Sequence, residues 1–246
     1  RDYLHFLVED TAWVNWEAPL IEFVDSVFAG KRLVMNRFYQ TVQVKPETPD
    51  EFFAMLEESL CPPLSYEEAL NSRDIIYLGD AWAVVTLIGE TLGLLAGERR
   101  DLIYRRARRR MEEEGMGGSI VLKTAISDLS KRCNVILMSN SYEETAQEFL
   151  RQLGYNDLFP LICSSANKPF DMIRKLEQID PAIFEQPETV ISIGDHAYND
   201  LMPIQQKGGR TVWLNPFPNI ERPVCDVEVE TLDELAGYLT TLTGIL

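Results

Sequence analysis

At 246 residues the chain is long enough for one large domain or two small ones, and with 46% hydrophobic and 25% charged residues it has the composition of a globular protein. Its formal net charge of −16 argues against generic binding to nucleic acid or to an anionic membrane. A small anionic ligand at a locally positive site is still compatible with that charge. Cys61, Cys133, Cys163 and Cys225 are far apart and form no C-x-x-C pair, which predicts buried, unpaired thiols in a reducing, cytoplasmic setting.

No signal-peptide pattern, apolar run of membrane-spanning length or low-complexity tail is expected from the sequence. The first residue is Arg1 and not methionine, so the natural N-terminus is expected upstream.

In chain order, the apolar run at residues 3–8 predicts a first strand, ended by Glu9, Asp10 and Thr11. Residues 16–28 carry apolar side chains at helical spacing. From residue 31 to 118 strand-like runs thin out, and helices are predicted at 48–60, 65–70, 80–96 and 98–114. The last of these holds seven arginines between Arg99 and Arg110. Arg108, Arg109 and Arg110 each have a glutamate four residues on, the spacing of helix-surface ion pairs, so a solvated or interdomain face is the better reading than a nucleic-acid site.

After Gly118 the pattern changes to alternation: helix 119–132, strand 134–138, helix 143–153, strand 161–163, helix 171–178, strand 189–193, helix 201–207, strands 211–214 and 227–229, and helix 231–242. This alternation predicts an α/β fold with a doubly wound parallel sheet. The predicted core is residues 1–14 and 119–246, with residues 15–118 inserted as a helical cap.

The stretch from Thr189 to Asp200 carries the clearest chemistry. Its apolar strand ends at Gly194, followed by Asp195, Asn199 and Asp200, at the strand end where α/β folds place ligands. Two carboxylates and an amide suit a hard cation such as Mg²⁺. The competing reading is a turn whose Asp and Asn cap the next helix.

Ser139, Lys168 and Asp195 with Asp200 all stand at predicted strand ends, in that order. The pattern resembles the haloacid dehalogenase (HAD) superfamily, in the branch with a helical cap inserted after strand one. The resemblance implies that Ser139 and Asn140 hold a transferring phosphoryl group, that Lys168 neutralises its charge, and that Asp195, Asn199 and Asp200 bind Mg²⁺. It implies a phosphorylated small molecule as ligand.

The family's first motif, Asp-x-Asp-x-Thr, is degenerate here. Aligning on Thr11 puts Leu7 at the nucleophile position and Glu9 at the acid/base position. A second register makes Asp10 the nucleophile and Ala12 the acid/base position, and a third makes Glu9 the nucleophile. The first is preferred because Phe6 and Val8 then alternate with Leu7 as in a core strand. Leucine cannot form an aspartyl intermediate, so this register implies a pseudoenzyme or a weak phosphatase. The alternatives are an active Mg²⁺-dependent phosphatase using Asp10, and a non-catalytic scaffold binding a protein partner.

Overall fold

The computed structural model describes residues 1–215, 217 and 220–245. The chain divides into two compact units: residues 1–110 with 217–224, and residues 111–216 with 225–246.

The first unit is mostly helical. Its helices are α1 (Asp2–Val8), α2 (Glu17–Phe28), α3 (Pro49–Glu58), α4 (Tyr66–Leu70), α5 (Ala81–Thr91) and α6 (Glu98–Glu114), the last ending just past the unit boundary. The short strands β1 (Phe38–Gln40) and β2 (Ile75–Tyr77) pair antiparallel. Caps start the helices where the sequence suggests: Thr48 Oγ1 accepts the Glu51 N–H at 3.2 Å, and Ser65 forms a capping box with Glu68.

The expected strand at residues 3–8 is a helix, and it belongs to this unit and not to the sheet. Leu4, Leu7 and Val8, at helical spacing, are buried and join one core cluster with Leu20, Phe23, Val27, Phe52, Leu56, Val84, Leu87 and Ile88. The run was too short for periodicity to separate a strand from a helix, and packing of its i, i+3, i+4 face decided it. The division into units therefore differs from the expected one at residues 1–14, and again at residues 217–224. That segment packs into the first unit through Ile220 and through Arg37, whose Nε lies 2.7 Å from Glu221 Oε2.

The arginines of α6 tie this unit together. Arg99 Nη2 donates to the carbonyls of Leu7 (3.1 Å) and Glu9 (3.3 Å), Arg106 pairs with Glu9, and Arg108 lies over the rings of Trp82 and Tyr104. Arg99 and Arg106 thereby anchor α6 to the C-terminal end of α1.

The second unit alternates as the sequence suggests: α7 (Ile120–Leu129), β3 (Ile136–Met138), α8 (Glu143–Leu153), β4 (Leu161–Cys163), α9 (Met172–Ile179), β5 (Ile191–Gly194), α10 (Met202–Gln206), β6 (Arg210–Leu214), β7 (Val227–Val229) and α11 (Leu232–Ile245). All its strand pairings are parallel, β3 with β4 and β5 with β6 with β7, in two separate ladders. Gly154 stops α8 in the left-handed region at φ 71°. Helices lie on both faces. Met172 and Leu176 of α9 and Ile204 of α10 cluster with Ile136, Met138 and Val190, while α7 and α11 cluster with Val135, Ile191, Val212 and Val229. This is the α/β, doubly wound arrangement that the alternation implied.

The cysteines form no disulfide. They are less buried than expected, since Cys133 is exposed and the other three are half-buried.

Candidate functional site: the strand ends of the second unit

Strand β5 ends at Gly194, and the chain then winds into a single π-turn, Ala197–Leu201, leading into α10. Such wide turns tend to occur at functional sites. This one folds Asp200 back over the strand end. A Cβ on residue 194 would lie 2.3 Å from Asp200 Oδ2 and 2.5 Å from its Cβ and Cγ, so only glycine admits the arrangement. Ser192 Oγ donates to the Asp200 carbonyl at 2.6 Å, and the His196 N–H donates to Asp200 Oδ2 at 3.2 Å.

The other oxygen of Asp200 accepts from Lys168. The Nζ–Oδ1 distance is 2.6 Å, with side chains 15% and 10% exposed. Lys168 follows β4 and precedes a cis bond to Pro169. Its backbone is clamped by Asn140, whose Nδ2 donates to the Lys168 carbonyl (3.0 Å) and whose Oδ1 accepts the Lys168 N–H (2.7 Å). Asn140 in turn follows β3, directly after Ser139. The Ser139 amide donates to the Cys163 carbonyl (2.9 Å), its carbonyl accepts from Ala166 N–H (2.8 Å), and its Oγ accepts from Ser141 N–H (3.1 Å). The ends of β3, β4 and β5 are thereby laced together through Ser139, Asn140, Lys168 and Asp200.

Asp195 is exposed at this end, with its carbonyl held at 2.8 Å by the indole N–H of Trp213 on β6. Asn199 is half-buried, and its backbone N–H donates to His196 Nδ1 at 3.2 Å. Among the described residues, no group of three or more His, Cys, Asp or Glu side chains could hold a metal ion. Both oxygens of Asp200 accept hydrogen bonds, Oδ1 from Lys168 and Oδ2 from the His196 N–H.

The first-motif residues belong to the first unit. Leu7 is fully buried in the core of the first unit. Glu9 lies at the C-terminus of α1, paired with Arg106 and with His5 Nε2 at 3.5 Å. Asp10 is exposed in a turn with φ 58°. Thr11 Oγ1 donates to the Val8 carbonyl (2.6 Å) and accepts from Trp13 N–H (3.1 Å), which finishes the helix. None of the four ends a strand. The three registers all presupposed a strand at residues 3–8, where the structure has a helix.

Ser192, His196 and Trp213 were not anticipated. Ser192 and Trp213 sit within predicted strands and His196 within the motif, but none carries a local pattern that reveals its partner.

No family model and no curated protein matches the chain. Among solved structures it is similar to a haloacid dehalogenase-like family hydrolase from Xanthomonas campestris, at 19% identity over 69% of this chain and 72% of that one, TM-score 0.40. It is also similar to the HAD-hydrolase YfnB from Bacillus subtilis bound to magnesium, at 23% identity over 63% and 69%, TM-score 0.47. A third likeness is to a HAD phosphatase from Thermococcus onnurineus, at 18% identity over 64% and 80%, TM-score 0.47. At these identities and TM-scores the likenesses assign no activity or ligand to this chain.

Proposed function

We propose that the second unit is a HAD-like phosphate site, and that residues 1–246 bind a phosphorylated small molecule while turning it over weakly. The observation that carries this reading is the Lys168 ammonium, held 2.6 Å from Asp200 at the ends of parallel strands that also present Ser139. A largely buried cation fixed by a carboxylate is pre-organised to meet an anion, and charge-assisted hydrogen bonds are the stronger ones. The Ser139 hydroxyl, its oxygen already accepting from the Ser141 N–H, would donate a hydrogen bond to a phosphoryl oxygen. Asp195 would share Mg²⁺ with the phosphate. The order Ser139, Lys168, Asp195 and Asp200 along successive strand ends agrees with the motif resemblance.

Weak turnover is proposed because Leu7, Glu9 and Asp10 stand on a helix and its following turn, where none is presented as a nucleophile at a strand end. No helix of the described residues is long and apolar enough to cross a membrane. The free thiols of Cys61, Cys133 and Cys163 suit a reducing, cytoplasmic compartment.

The test is calorimetric titration with inorganic phosphate, with and without Mg²⁺, beside a p-nitrophenyl phosphate assay. Phosphate should bind, more tightly with Mg²⁺, and Ser139→Ala and Lys168→Met should each weaken it at least about tenfold. Unchanged affinity in both variants would sink the reading. Rapid Mg²⁺-dependent turnover abolished by Asp10→Asn would replace it with an enzyme using Asp10.

A further inference from the structure

The parallel strands of the second unit leave a place for one more. β6, paired on both sides, is buried as a central strand should be, with Thr211 and Val212 at 0% exposure and Trp213 at 1%. β3 and β5 are equally apolar but pair on one side only, and none of their residues is fully buried. Ile193 of β5 is 37% exposed, although Ile191, on the same face, packs against the α7–α11 layer.

These two edges belong to one layered structure. On one face, α9 and α10 cluster with Ile136 and Met138 of β3 and with Val190 beside β5. On the other, Ile126 of α7 and Leu137 of β3 both pack against the cluster of Leu150, Tyr155 and Leu158, and the α7–α11 cluster takes in Val135 and Ile191. The strands run in the same direction, because their carboxyl ends meet in the Asn140–Lys168–Asp200 lacing. β3 and β5 are nevertheless not hydrogen-bonded to each other.

Connectivity points to the same place. Parallel strands are joined by crossovers, each helix lying between two strands of the sheet. α8 joins β3 to β4, α9 joins β4 to β5, and α10 joins β5 to β6. α7 leads into β3 but follows α6 through residues 115–119, with no strand in front of it. The strands described in the first unit, β1 and β2, are spent on each other.

We propose that the edges of β3 and β5 form a slot for one extended, apolar strand, parallel to both, and that polypeptide N-terminal to Arg1 fills it. That strand would be the missing first half of the α7 crossover, with residues 1–110 inserted between strand and helix. A second copy of the chain is a poorer occupant, because all seven described strands are already paired. The slot is independent of what Ser139 and Lys168 bind.

The test is amide hydrogen exchange at residues 136–138 and 191–194, on the 246-residue chain and on the same chain extended by the residues its gene encodes upstream. The extension should slow exchange at both strands by at least about tenfold and leave β6 unchanged. Ile193→Lys should barely shift the melting temperature of the shorter chain but lower that of the extended one by several degrees. Equal exchange in both chains, or a gene that encodes no strand-length upstream segment, would overturn the proposal. Slowing that follows the concentration of the 246-residue chain alone would overturn it in favour of a second copy.

Discussion

Lys168 Nζ lies 2.6 Å from Asp200 Oδ1, and the two side chains are only 15% and 10% exposed. Removing one member of a pair so shielded strands the other charge where water cannot fully solvate it. Lys168→Met should therefore destabilise the second unit by about 3 kcal/mol, at the lower end of the range for breaking buried pairs. Denaturant melts of Lys168→Met, Asp200→Asn and the double variant supply the check. The double variant should lose clearly less than the sum of the singles, because the stranded charge is then absent. Additive losses would mean that the pair is not energetically coupled.

Gly194→Ala should be among the most costly single-methyl changes in the chain. The added Cβ would meet Asp200 atoms at 2.3–2.5 Å, and Asp200 is fixed by Lys168, His196 and Ser192. With no flexible side-chain end to give way, the cost is expected at about 2–3 kcal/mol, in the range of overpacking. Gly237 in α11 makes the control, since a Cβ there meets nothing within 4 Å. Gly237→Ala should stabilise by about 0.5–1 kcal/mol through helix propensity alone. Thermal melts of the two variants should therefore move in opposite directions.

The same two glycines show how far a sequence can be read. The alternation after Gly118 was legible because each strand is a short apolar run between amphipathic helices, and Thr231 with Glu234 marked the start of α11 as a cap should. Gly194 was recognisable as a turn after a strand. That Asp200 needs the space of its missing side chain was not, because the π-turn that brings Asp200 back has no sequence signature. Residues 3–8 misled for a different reason. Five apolar or aromatic residues around His5 satisfy a strand and a two-turn helix equally, and only the partners that bury Leu4, Leu7 and Val8 choose between them. Residues 217–224 were illegible because a return to the first unit rests on long-range partners such as Arg37 and Glu221.

Leu7 and Asp10 give a direct test of helix against site. Leu7 is fully buried in a well-packed cluster, so Leu7→Ala should cost about 2.5–4 kcal/mol, as large-to-small core changes do. Asp10 is exposed in a left-handed turn, a conformation that asparagine also tolerates. Asp10→Asn should leave stability within about 0.5 kcal/mol of the parent. Guanidinium melts of both, with phosphate titrations alongside, should show stability lost in the first variant and phosphate affinity retained in the second. A stable Leu7→Ala chain would contradict the packing of α1.

Alkaline pH should weaken the second unit through Tyr198, a buried residue of the π-turn. Burial penalises its phenolate and pushes the phenol from the ordinary value of 10.0 up to about 12. A group whose folded pKa is raised contributes stability that is complete below its unfolded value and is lost as pH rises through the folded value. The window is therefore from pH 10 to about 12, and below pH 10 Tyr198 should add no slope. Tyr198→Phe removes the titrating group while keeping the ring, so its denaturant midpoint should fall less steeply across that window. Tyr3, Tyr39 and Tyr77 in the first unit are also raised by burial and will titrate in both proteins. The comparison therefore rests on the difference between the two profiles, with an ultraviolet tyrosinate titration to assign it. Parallel profiles from pH 10 upward would show that the Tyr198 ring is better solvated than its position in the turn implies.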